Sequence, residues 1–228
     1  MSRSILIQTT GIVSLIIQFC CGVLNVWGLR LRIKTQGQIF HSLLLIEFIV
    51  QVVEFFAYLF LISLFFQKNL DPQKVMTIRY TDWMVTTPTM LVTLMAFLSN
   101  ESSFFLFIKK YKKSIMTVLL LDWGMLYCGY KNEVNVDYNS CQKKLWIYRG
   151  FFFFFFMFAW IYYLFQKQIH RNVEKQLLFT WFFILWMLYG IVAFNSFTFR
   201  NTSYNILDLF SKNITGIFLV WKLNQFRM

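Results

Sequence analysis

The chain has 228 residues, 58% of them hydrophobic and 14% charged, with 29 Phe, 11 Tyr and 8 Trp. So little polar surface excludes an ordinary soluble globule. A net charge of +12 would suit nucleic acid, but the cations are dispersed among connectors rather than gathered in one groove-sized patch, so no nucleic-acid partner is expected.

Crossing a hydrocarbon core about 30 Å thick takes about 20 apolar residues, and apolar stretches recur near 5–28, 40–66, 76–98, 115–130, 146–165, 178–196 and 205–224. The expected architecture is an all-α seven-transmembrane-helix bundle in the lipid bilayer, a single domain over 1–228 with no internal repeat or long linker. Lys and Arg accumulate in cytoplasmic connectors. Arg30, Arg32, Lys34, Lys109, Lys110, Lys112, Lys113, Lys167, Arg171, Lys175, Lys222 and Arg227 fall on one side, and the sparser Arg3, Lys68, Lys74, Lys131, Lys143, Lys144 and Arg200 on the other. The N-terminus is therefore expected outside and the C-terminus inside. Cys20, Cys21, Cys128 and Cys141 show no metal-ligand spacing and read as packing residues, and no metal site is expected.

Ionisable groups inside a span are expensive and functional by default. In the first span, GIVSLIIQFCCGVLNVW carries a polar stripe of Ser14, Gln18, Cys21 and Asn25. The second, IEFIVQVVEFFAY, sets Glu47, Gln51, Glu54 and Tyr58 along one face. Two such stripes on adjacent helices suit a water path that favours cations, or a hydrogen-bonded helix interface. The third span, MTIRYTDWMVTTPTMLVT, aligns Arg79, Asp82, Thr86 and Thr93, and the fourth carries Asp122. The last reads NILDLFSKNITGIFLVW, with Asp208 and Lys212 one turn apart. An ion pair that merely fixes helix packing is one reading of Asp208 and Lys212. A second lysine function fits the whole set better: a desolvated lysine forms an imine with a carbonyl compound, and nearby carboxylates stabilise its charged form. A long conjugated aldehyde would need a slot lined by rings, for which Trp83 and Trp186 are candidates.

RYTDWMVTTP at 79–88 and DLFSK at 208–212 resemble the two most specific signatures of the microbial (type 1) rhodopsin family, and the resemblance covers essentially the whole chain. It implies all-trans retinal as a protonated Schiff base on Lys212, counterions Asp82 and Asp208, and Arg79 on their extracellular side. It implies a retinal pocket drawing on Trp83, Thr86, Thr87, Asp122, Met125, Trp186 and Tyr189. WMLYG at 186–190 resembles the family's W-x-x-[YF]-P wall, with Gly190 in place of proline, and Asp122 resembles a fourth-span carboxylate tied to a third-span polar residue, here Thr87. The competing resemblance, a seven-span G-protein-coupled receptor, lacks DRY-like and NPxxY-like elements. No enzymatic activity is implied.

Within the family, Glu47 and Glu54 with Tyr58 are similar to second-span glutamates of channelrhodopsins, and Asn213 after the lysine to their S-K-N. Thr93 stands where an outward proton pump usually carries its donor carboxylate, and a threonine cannot supply a proton at neutral pH. The expected function is a light-gated channel for small cations or protons, its path lined by Ser14, Gln18, Asn25, Glu47, Gln51, Glu54 and Asn213. An outward proton pump using Asp82 as acceptor and a sensory photoreceptor are the alternatives. Short termini and a Phe/Lys/Asn-rich composition resemble viral rhodopsins of large algal viruses, which implies a host-cell membrane, and family members commonly form homo-oligomers. Asn201 begins an N-T-S sequon in the expected last outer connector.

Overall fold

The computed structural model describes residues 3–135 and 139–228. Six helices, α1 (Arg3–Leu29), α2 (Gln38–Phe65), α3 (Pro72–Leu98), α4 (Phe104–Val134), α5 (Ser140–Arg171) and α6 (Val173–Val192), are followed by a composite seventh rod. That rod is α7 (Phe197–Asp208), a π-helical turn over Leu209–Asn213, and α8 (Ile214–Gln225). Backbone angles stay helical across both junctions, at Asp208, Leu209, Asn213 and Ile214. Each helix packs on its sequence neighbour, and the seventh rod returns to α1 and α2, so the bundle closes on itself. The seven-helix architecture expected from the sequence is therefore present. The side chain of Arg3, counted among the outer cations, lies outside the described residues.

Local chemistry sets the helix starts. Asp71 accepts from the N–H groups of Gln73 and Lys74, with Pro72 at the first helical position of α3. Asn139 and Gln142 form a reciprocal capping box at α5, and Asn172 both closes α5 and caps α6. Inside α3, Pro88 has no N–H for the carbonyl of Met84 four residues back. Trp123 Nε1 of α4 donates to that oxygen at 3.3 Å, so the gap left by proline becomes a tie between helices.

Several boundaries differ from the hydropathy reading. Helix α4 begins at Phe104 rather than near 115, because Lys109, Lys110, Lys112 and Lys113 project outward while Tyr111 packs, ring tilted, against Phe107 and Phe165. α6 ends at Val192, and the seventh rod begins at Phe197 rather than near 205. Asn201 is consequently not in a connector: it is fully buried in α7, so it is no glycosylation acceptor in this fold. Of the four cysteines, Cys21 and Cys128 are buried, whereas Cys20 and Cys141 are exposed and do not pack in the core. Among the described residues four helices, α1, α2, α5 and α6, are apolar and long enough to cross a membrane by composition alone. The third, fourth and seventh rods also bury polar residues, among them Arg79, Asp82, Asp122, Asp208 and Lys212, and that is where the site lies.

Candidate functional site

Asp208 stands at the end of α7 and Lys212 inside the π turn. Such turns are rare and recur at functional sites. The Lys212 side chain is buried, and its Nζ donates to Asp82 Oδ2 at 2.8 Å. Glu54 Oε1 lies 3.3 Å from the same nitrogen and Asp208 Oδ1 3.9 Å from it. Three carboxylates, from α2, α3 and α7, thus surround the lysine, where the sequence reading named two and assigned Glu54 to the path.

The three are held differently. Asp208 accepts from Tyr58 Oη and Tyr189 Oη, each at 2.7 Å, and from Arg79 at 3.3 Å. Asp82 Oδ1 has no hydrogen-bond partner among the described residues. Arg79 is in turn fixed by Asn201 Oδ1, which accepts from Nε at 2.9 Å, by Asn205 Oδ1, and by the faces of Tyr58 and Tyr204, 5.8 and 5.7 Å from the guanidinium carbon. Asn201 and Asn205 were not among the sequence candidates. Their signal was available: 201, 205, 208 and 212 share one helical face, but the polar run around Asn201 reads as a connector.

From Lys212 a cavity extends between α3, α4, α5 and α6. Trp83 crosses Tyr189 at 87° and Tyr204 at 84°, and Trp186 meets Phe158 edge-on. Trp83, Thr87, Met125, Trp186, Tyr189 and Lys212 line it, whereas Thr86 and Asp122 do not. Thr86 bonds back to the carbonyl of Asp82 at 3.0 Å. Asp122 accepts from Thr87 Oγ1 at 2.8 Å, linking α4 to α3 just behind the cavity. At Gly190 a Cβ would stand 2.7 Å from the Phe151 ring. The residue in place of the proline therefore leaves α6 helical and lets an aromatic ring enter the cavity wall.

On the other side of Lys212, Ser14 Oγ donates to the carbonyl of Asn205 at 2.8 Å. Gln18, Asn25, Glu47, Gln51 and Asn213 are all buried, and no polar atom of their side chains has a hydrogen-bond partner among the described residues. Both Glu54 oxygens lack one too, since the approach to Lys212 is not aligned for a hydrogen bond. Glu47 lies next to Thr93, and Asn25 rests on Gly216, where a Cβ would come within 2.9 Å of the amide. Toward the N-terminal end, Arg200 of α7 pairs with the buried Glu133 of α4 at 2.5 Å. Toward the C-terminal end, Lys222 pairs with Glu174 at 2.5 Å, and Lys175 donates to the carbonyl of Leu98 at 2.9 Å and to Asn100.

The family model of bacteriorhodopsin-like proteins matches residues 6–225. The chain belongs to the microbial rhodopsins. Among solved structures, viral rhodopsin OLPVRII is similar at 25% identity and a TM-score of 0.79, over 98% of this chain and 100% of that one. Xanthorhodopsin, a light-driven ion pump with dual chromophore, matches at 14% identity and 0.79 over 98% and 96%. Halorhodopsin, a light-driven chloride pump, matches at 17% and 0.73 over 96% of each chain. Among curated protein sequences, none matches the chain.

As a microbial rhodopsin it is a multi-pass integral membrane protein of a non-enzymatic family whose members carry retinal and act as photoreceptors or ion transporters. The cavity suits that chromophore in its chemistry: an amine at one end, aromatic walls along it, and acids only beside the amine.

Proposed function

We propose that this rhodopsin is a light-gated cation channel with retinal on Lys212. The observation that carries the reading is the row of buried side chains Gln18, Asn25, Gln51 and Asn213, without hydrogen-bond partners among the described residues, together with Glu47 beside Thr93, on α1, α2 and the seventh rod. Leaving a buried polar group without a partner costs about 1–3 kcal/mol. A whole row is tolerable where water solvates it, and Glu47 within it, with Glu54 beside it, favours cations over anions.

When bound, all-trans retinal supplies light absorption and a change of shape at the lysine nitrogen. The chain's own groups then divide the work. Asp82, with one oxygen free and the other 2.8 Å from Nζ, receives the proton that leaves that nitrogen. Asp208, saturated by two tyrosines and Arg79, remains a fixed charge. Glu54 loses its cationic neighbour as Nζ is neutralised, and with Asn213 it forms the gate. Glu47 is the constriction nearer the C-terminal end, and Arg79 shapes the opposite end, with the N-terminus outside. An outward proton pump is the second reading, favoured by the free oxygen of Asp82, but Thr93 offers no dedicated donor.

Light-evoked current in cells expressing the chain tests the path. Gln51→Leu replaces an unpartnered amide with an apolar side chain, and the current is expected to fall several-fold with the absorption band unchanged. A current that does not change in Gln51→Leu, with equal pigment at the surface, would remove the polar row from the path.

A further inference from the structure

A crevice runs between α1 and α2 on the bilayer-facing side of the bundle, away from the chromophore cavity. Its rims are Phe19 and Val23 of α1 and Val52 and Phe56 of α2, all exposed, and its floor includes Gln18 and Gln51, which are 1% and 2% exposed. Gly22 lies in its wall, and a Cβ there would meet nothing within 4 Å. The crevice reaches Arg30, just past the end of α1. From Gln18 to Arg30 is about 18 Å at 1.5 Å per residue, which extends from the middle of the membrane to its surface.

Arg30 is exposed, as are Arg32 and Lys34 after it. None of the three is in an ion pair among the described residues, whereas Lys74, Lys110, Arg200 and Lys222 each have a carboxylate. An apolar slot leading to uncompensated cations at headgroup depth asks for an occupant with an acyl chain and an anionic head. Polybasic segments beside a span attract anionic lipid, and a chain seated between two helices gains the packing that drives association inside a bilayer. A second copy placed symmetrically on this crevice would set its own Arg30, Arg32 and Lys34 against the same three cations.

We propose that the crevice binds an anionic phospholipid of the surrounding bilayer, with one acyl chain over Gln18, Gly22 and Gln51 and the headgroup on Arg30, flanked by Arg32 and Lys34. The bound chain closes the wall behind the two buried amides. This holds whether the protein conducts or pumps, because the lipid contacts lie on the bilayer-facing side of α1 and α2, and Gln18 and Gln51 are touched from behind the polar row.

The test uses the retinal-loaded protein in lipid nanodiscs doped with phosphatidylserine or phosphatidylcholine carrying a photoreactive acyl chain, with labelled peptides located by mass spectrometry. Phosphatidylserine is expected to label residues 19–30 and 48–56 several-fold more than phosphatidylcholine does. Gly22→Phe, which fills the crevice, should abolish that label, and Arg30→Gln should equalise the two lipids, both with the visible absorption band intact. Even labelling around the bundle, equal labelling by the two lipids in the unmodified protein, or a label untouched by Gly22→Phe would overturn the site. If Gly22→Phe yields no pigment, Arg30→Gln decides alone. Photoreactive palmitate that displaces phosphatidylserine from the same peptides would overturn the phospholipid assignment in favour of a free fatty acid.

Discussion

Lys212 sits in the interior among three acids that are not interchangeable. Asp82 touches little besides the lysine, whereas Asp208 also satisfies Tyr58, Tyr189 and Arg79. Asp82→Asn is therefore expected to fold and to absorb at longer wavelength, because a neutral partner no longer stabilises the positive charge in the ground state. Asp208→Asn leaves a buried guanidinium without its carboxylate, a change worth about 3–5 kcal/mol, and should lose pigment at a visibly lower temperature in a thermal bleaching assay. Lys212→Ala with added retinal is expected to give no visible absorption band. Asp82, Asp208 and Lys212 were legible in the sequence because a charge in an apolar span has few innocent explanations. Asn201 was not, since an asparagine is ordinary in a loop, and only the extension of α7 back to Phe197 turns it inward; Asn205 stood at the first position of the expected span, where a polar residue draws no attention. Spacing and the channelrhodopsin resemblance assigned Glu54 to a gate near the Schiff base, but its 3.3 Å approach to Lys212 as a third carboxylate depends on how α2 is rotated against the seventh rod, which spacing does not encode.

The helices owe their lengths to features that hydropathy does not register. α4 continues through Lys109–Lys113 because a helix needs only one side for packing, and Tyr111 supplies it. Asp71, Asn139 and Asn172 cap helices as their residue types favour, which hydropathy does not weigh, and the π turn at Leu209–Asn213 leaves no mark in the sequence. Two substitutions test these local arguments. Trp123→Phe strips the donor from the carbonyl freed by Pro88 and is expected to cost about 1 kcal/mol, read as a lower denaturation midpoint. Gly190→Ala drives a methyl group into the Phe151 ring, an overpacking cost of about 1–3 kcal/mol, and should both lower the melting temperature and shift the absorption band, since that ring lines the chromophore cavity.

The whole bundle divides along Lys212. Toward α4, α5 and α6 it is aromatic and apolar, a chamber for a chromophore. Toward α1 and α2 it is polar, buried and short of hydrogen bonds. The seven rods and the shared face of Glu47, Gln51 and Glu54 follow from sequence periodicity. That these side chains have no hydrogen-bond partner among the described residues is a property of how three helices meet, and the proposed solvated path rests on it. The most direct measurement is the current–voltage relation of the illuminated protein in a planar bilayer, first in symmetrical salt and then under a cation gradient at constant pH. A channel gives a photocurrent that changes sign, at a voltage that moves with the gradient. A photocurrent that keeps one direction at every voltage and ignores the gradient would contradict the account.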